Sequence, residues 1–204
     1  MLPQVKPFSS SSSFSSSPFS NMKVFFVLTL TLFVLGTEAL SHCNVTRQMC
    51  EKWTNDDPNI SYHFCVAAME PAEDLRCVQT IRRMGFVSLS LTRRNVSNTA
   101  RFARNLLKHN FSDPFVKTCL TDCFQLYDDA VETLRDVAGD YRSGLYNDVN
   151  VKITSVMDAS TTCEDSFKEE TGVVSPLTVR NDDVFQLSAI ALSIVNMLAD
   201  DVNP

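Results

Sequence analysis

The sequence predicts an all-α protein: an up-down-up-down four-helix bundle, extended at its N-terminal end by a helical hairpin and stapled by disulfides. Three observations predict it. Glycine is scarce, with five in 204 residues, and apolar residues recur at alternating gaps of three and four, the period of a helix buried along one face. The breaks between the apolar series are short, which makes successive helices antiparallel neighbours. Two pairs of cysteines have their midpoints in those breaks.

Residues 1–39 come first and stand outside the fold. "MKVFFVLTLTLFVLGTEA" has the form of a secretory signal peptide, with Lys23 as the positive region, Val24–Leu35 as the apolar region and a small-x-small cleavage site after Ala39. An apolar stretch of 12 residues is too short to span a bilayer, so no membrane anchor is expected after cleavage. The Ser-rich leader ahead of it lacks the arginines of a transit peptide, and initiation at Met22 accounts for it most simply. No second apolar run of spanning length is evident. Loss of Lys6, Lys23 and Glu38 takes the 18 basic and 24 acidic residues of the chain to 16 and 23, a net charge of −7. Such a balance argues against nucleic acid as a partner. Secretion makes thiols prone to form disulfides, and four N-x-S/T sequons, at Asn44, Asn59, Asn95 and Asn110, fit that compartment.

Residues 40–72 form the expected hairpin, two short helical segments around "TNDDPN", with Val45, Met49 and Trp53 on one face of the first. Residues 73–204 form the bundle. Its first seam runs Val78, Ile81, Gly85, Leu89, Thr92, Val96, Ala100, Ala103, Leu107; its second runs Leu120, Cys123, Tyr127, Ala130, Leu134, Val137. The third is Val149, Ile153, Val156, Ser160, Cys163, Phe167, and the fourth Val184, Leu187, Ala191, Ile194, Leu198. Breaks are expected at "FSDP" (111–114), from Gly139 to Gly144, and at "TGVVSP" (171–176).

Opposed residues of an antiparallel hairpin are equidistant from its turn. The midpoint of Cys123 and Cys163 is residue 143, inside the Gly139–Gly144 turn, and both cysteines occupy seam positions. The midpoint of Cys50 and Cys65 falls between Asp57 and Pro58, in the turn of the first hairpin. Both pairs are therefore expected as disulfides, contributing at most ~3 kcal/mol for Cys50–Cys65 and ~4 kcal/mol for Cys123–Cys163 through loop-closure entropy. Cys43 and Cys77, at the base of the first hairpin, are candidates for a third bridge. Cys119 is then left as a free thiol, one turn from a seam position and expected to be buried.

The chain offers little chemistry. His42, His63 and His109 have no metal-ligand spacing with cysteine or acid. Nucleophile-elbow, zinc-protease, phosphate-loop and dinucleotide motifs are absent. The acid pairs Asp128–Asp129, Asp182–Asp183 and Asp200–Asp201 are adjacent on helices and point in different directions, which suits solvated faces better than acid–base work. No enzyme, metal or cofactor is expected. Charge is unevenly spread: eight basic residues and no acid between Leu75 and Ser112, against 12 acids and four basic residues between Asp122 and Glu170. Either the basic helix is balanced by its neighbours, or one of these faces meets a partner.

"MCEKWTNDDPNISYHFC", "CLTDCFQLYDDAVETL" and "TCEDSFKEETGVVSPLTVRNDDVFQLSAIALSIVNML" resemble the plant invertase and pectin methylesterase inhibitor family, in particular its pollen-allergen-type branch. The likeness covers residues 43–200, and its most specific elements are the cysteine frame with D-C-x3-Y-x2-A and T-C-E-D-x-F. The resemblance implies a four-helix bundle with an N-terminal hairpin and the same two disulfides that the turn midpoints select. It implies a non-catalytic apoplastic inhibitor that covers the active-site cleft of a cell-wall enzyme, pectin methylesterase or acid invertase, as a 1:1 complex. Acid-invertase inhibitors of the family carry Pro-Lys-Phe in the turn between the second and third bundle helices. Here the turn reads "GDYRSGLYND", nearer the pectin methylesterase inhibitor pattern. Asp140, Tyr141, Arg142 and Tyr146 of this turn, with Asp128 and Asp129 of the acidic second helix, are the expected target contacts, since aromatic and Arg residues are common interface anchors. The competing class is a secreted helical module for storage, surface display or ligand carriage that no longer inhibits.

Overall fold

The computed structural model describes residues 45–70, 81–108 and 113–202. The signal segment, the Cys43–Cys77 pair and the sequons at Asn44 and Asn110 lie outside the described residues.

Helix α1 covers residues 45–56. Thr46, Cys50 and Trp53 are its buried stripe, with Met49 packed at the edge. The buried face is thus turned by one residue from the expected Val45–Met49–Trp53 line. Asp57 closes the turn that follows, its carboxylate accepting from the Asn59 N–H at 2.9 Å. Helix α2, Tyr62–Met69, starts on Ser61, whose hydroxyl accepts from the Phe64 N–H. The Cys50–Cys65 disulfide joins the two helices across the hairpin.

Four long helices form the bundle: α3 (Ile81–Leu106), α4 (Pro114–Thr133), α6 (Tyr146–Lys168) and α7 (Thr178–Val202), with a short α5 (Val137–Arg142) between α4 and α6. Helix α4 begins with Pro114 in its first turn and Asp113 as its cap, accepting from the Phe115 N–H at 2.8 Å. In the ring α3–α4–α6–α7 each helix packs on its two neighbours. The expected seams are largely the buried stripes: Gly85, Leu89, Thr92, Val96, Ala100 and Ala103 on α3, and Val149, Ile153, Val156, Ser160, Cys163 and Phe167 on α6. Cys123 is joined to Cys163, and the Cys119 thiol lies 3.5 Å from the Ser166 carbonyl. The index rises along α4 as it falls along α6, so the two helices run antiparallel.

Helix α7 is buried on two sides. Val184, Ala191 and Val195 join the bundle core, while Ala189, Ile190 and Ile194 pack with Trp53, Cys65 and Met69 of the hairpin. By length and composition alone this helix could cross a membrane, contrary to the expectation of no second such run. Half of its most apolar stretch is buried inside the fold, which accounts for its apolar character. Gln186 on α7 also accepts from the Ser61 N–H at 2.9 Å, fixing the hairpin to the bundle.

Between α4 and α6 the structure departs from a simple turn. Helix α4 stops at Thr133, Leu134 caps it, and Val137 continues the buried line from within α5. Gly144 then takes φ +75°, a left-handed position that a side chain adopts only at a cost.

Candidate target-binding surface

The turn residues divide sharply in exposure. Tyr141 is fully buried, and its hydroxyl donates to the Arg82 carbonyl at 2.8 Å. Its ring meets Phe86 edge-on at 4.7 Å and Tyr146 at 5.6 Å. Room for it comes from Gly85, where a Cβ would lie 1.9 Å from the Tyr141 hydroxyl. Tyr146 is 6% exposed. The expectation that Tyr141 and Tyr146 meet a partner is therefore corrected: Tyr141 docks α5 onto α3, and Tyr146, at the start of α6, packs against it. Their apolar area is spent inside the molecule.

The charged neighbours stay outside. Arg142 is exposed; its Nε donates to the Ala138 carbonyl at 2.9 Å and its guanidinium stands 5.9 Å from the Phe86 ring centre. Asp140 is partly buried and ion-paired with Lys152 of α6. Asp128 and Asp129 are both exposed, but they serve different faces. Asp128 turns to α3 and meets Arg104 at 3.5 Å. Asp129 belongs to an outward stripe of Asp122, Gln125, Asp129 and Glu132, all exposed. Helix α6 carries a matching stripe, Asp148, Val151, Ser155, Asp158, Thr162, Asp165 and Glu169, exposed at every position. Gaps of three and four place each set on one side of its helix. The three-four spacing of these stripes is present in the sequence, within what otherwise reads as one acidic block.

Between α4, α6 and α7 runs a polar network, buried at Tyr127 and Asn181 and opening to the surface at Glu164 and Thr178. Tyr127 on α4 donates to Asn181 Oδ1 on α7 at 2.7 Å, and Asn181 Nδ2 donates to Glu164 Oε2 on α6 at 2.7 Å. Glu164 Oε1 accepts from the Thr178 hydroxyl at 2.8 Å. Burial, and then the Glu164 charge, hold the Tyr127 hydroxyl well above the ordinary tyrosine range. Tyr141 is raised chiefly by burial, then by Tyr146, with Arg82 opposing. Cys119 is buried and unpaired; burial is the largest cause raising its pKa, with the Ser166 contact opposing. Such a thiol is a small hydrophobe with little nucleophilic character. Among the described residues, no group of three or more His, Cys, Asp or Glu could hold a metal ion.

A sequence profile of the plant invertase/pectin methylesterase inhibitors matches residues 44–194. The chain belongs to that family. It is 35% identical over 179 residues to a Platanus acerifolia protein named "Putative invertase inhibitor", covering 87% of this chain and 99% of that one. It is 26% identical to "Pectinesterase inhibitor 12" of Arabidopsis thaliana, over 85% of this chain and 99% of the relative. A crystal structure of a mutant form of an Arabidopsis pectin methylesterase inhibitor superposes with a TM-score of 0.60 at 22% identity, covering 67% of this chain and 89% of that one; at that identity it supports the shared fold. Members of the plant invertase/pectin methylesterase inhibitor family are inhibitors and not enzymes, and the motif residues of this one do structural work. Cys123 and Cys163 close the staple, and Tyr127 and Glu164 from the same motifs meet through Asn181.

Proposed function

We propose that this chain is a secreted, apoplastic inhibitor of a plant pectin methylesterase, bound as a 1:1 complex. It covers the active-site cleft with the acidic outer face of α4 and α6 and with Arg142 at the tip of α5. The observation that carries this reading is the pair of exposed acidic stripes on two helices held by one disulfide and one polar network. A face so rigid loses little conformational entropy on docking. Carboxylates in register also steer encounter with a basic or polar cleft and select against wrong partners. Pectin methylesterase is favoured because the α4–α6 connection lacks Pro-Lys-Phe and its tyrosines are turned inward.

Acid invertase is the second reading, favoured by the 35% identity to proteins named as invertase inhibitors. Secretion through the segment ending at Ala39 would place sequon Asn59 on an exposed turn, the better glycan site of the two described, since Asn95 is half-buried in mid-α3. The test is a paired assay. The oxidised mature chain is titrated against a purified pectin methylesterase and a purified acid invertase. Inhibition of the esterase alone, lost on disulfide reduction, is the expected result. Inhibition of invertase alone would establish the second reading, and inhibition of neither by a folded protein would turn the weight to a non-inhibitory module.

A further inference from the structure

The opposite edge of the bundle carries a second surface that the inhibitory face does not use. Helix α3 presents six arginines and no acid, and all six are exposed. Arg104 meets Asp128, but no carboxylate of the described residues lies within ion-pair distance of Arg93, Arg94 or Arg101. Arg101 hydrogen-bonds the Asn98 side chain instead, at 3.2 Å. Internal balance by α4 therefore does not account for these charges. The acids Asp122 and Asp129 are exposed on the outward stripe of α4, and opposite α3 the second depression described below is lined by Val131 of α4 and by Arg135 just beyond that helix.

Three depressions, of about 370, 450 and 250 Å³, follow one another along α3. Ser90 and Arg94 line both the first and second; Asn98 and Arg101 line both the second and third. Sharing these side chains, they form a shallow groove over the outer side of α3, reaching toward Val131 of α4 in the second depression and toward Arg180 of α7 in the third, and among the described residues no acid lines it. From Ser90 to Asn105 the helix rises ~22 Å, so the groove suits an extended chain rather than a single small anion. Its cations alternate with neutral donors and acceptors from Ser90, Ser97 and Asn98. Phe86 lines one end and Phe102 the other, the latter stacked under the Arg180 guanidinium at 4.1 Å.

We propose that this groove binds a linear polyuronate, the carboxylate-bearing polysaccharide that de-esterification of pectin produces. Regularly spaced carboxylates match the arginines, and sugar hydroxyls match the serine and asparagine side chains. The choice of a polyuronate over other polyanions rests on the cell-wall inhibitor reading above. An inhibitor held this way would sit on the product of the enzyme it blocks. Single exposed charges contribute little, so affinity comes from several arginines engaged at once and must fall steeply with salt.

The experiment is affinity electrophoresis of the mature, oxidised protein through gels containing polygalacturonate, fully methylesterified pectin or polyglutamate. Retardation by polygalacturonate alone, abolished by salt, is expected. The triple variant Arg93→Ala, Arg94→Ala, Arg101→Ala should lose about tenfold or more in affinity. Its melting temperature should be unchanged, because the three side chains are exposed, and so should its inhibitory potency. No retardation of the wild type, equal retardation of the variant, or equal binding of polyglutamate would overturn the proposal. Failure here with inhibition intact refutes the groove alone; loss of inhibition with polyuronate binding intact refutes only the functional reading.

Discussion

Tyr127 shows most plainly how single residues divide between scaffold and surface. Its hydroxyl links α4 to the Asn181–Glu164 pair. Tyr127→Phe leaves Asn181 Oδ1 buried without its donor, and a lost buried hydrogen bond of this kind costs about 1–3 kcal/mol. Urea unfolding should show that loss with an unchanged slope; wild-type stability would mean the network is incidental. Gly85 is the second such residue. A Cβ there would meet the Tyr141 hydroxyl at 1.9 Å, so Gly85→Ala should destabilise by roughly 1–3 kcal/mol through overpacking. Combining it with Tyr141→Phe should cost less than the sum of the two changes, because both act on one contact. Strict additivity would contradict the packing account. Neither residue announced its role in the sequence: Tyr141 was read as a surface anchor because a tyrosine in a polar turn shows nothing of the glycine packed beneath it 56 residues earlier.

The elements were legible to different degrees. Seams on α3 and α6 were readable because each helix buries one stripe, so the three-four spacing maps onto the core. The disulfides were readable for a related reason, since equal distance from a turn fixes which residues face each other. On helix α1 the apolar face of Val45, Met49 and Trp53 was readable, while Thr46, a polar residue on the buried side, gave no apolar signal. Helix α7 is buried on two sides, and the expected seam took in Ile194 of the hairpin side but left out Ala189 and Ile190. Helix α5 was invisible, since six residues are too few for a periodic signal. The Cys123–Cys163 bridge closes a separation of 40 residues. Replacing both cysteines by serine should lower stability by up to ~4 kcal/mol while helicity at low temperature is retained. Unchanged stability by calorimetry would show that packing alone holds α4 to α6.

At the scale of the whole molecule, charge is segregated: arginines along α3, carboxylates along the outer faces of α4 and α6. Internal pairing consumes part of it: Arg104 meets Asp128, and Glu132 and Asp165 of the acidic faces pair with Arg135 and Lys168. Among the described residues Arg93, Arg94 and Arg101 have no carboxylate within ion-pair distance. The interior sets its own pH limit. Tyr127 and Tyr141 both have folded values raised above the ordinary value of about 10. The protons they hold therefore stabilise the folded chain in full below that pH, and the contribution is lost as pH climbs through the folded values. Tyrosinate absorbance should show that these two of the four tyrosines ionise only as helical circular dichroism is lost. Ionisation of all four with the helices intact would contradict the buried geometry.

The central claim is that the acidic outer face of α4 and α6 is the surface that blocks the target. The measurement that tests it most directly is the inhibition constant toward pectin methylesterase of the variant Asp129→Asn, Glu132→Gln, Asp158→Asn, set beside the wild type. The account predicts inhibition weaker by about tenfold or more, with melting temperature and polyuronate binding unchanged. Wild-type potency in that variant would contradict it and place the inhibitory contact elsewhere on the bundle.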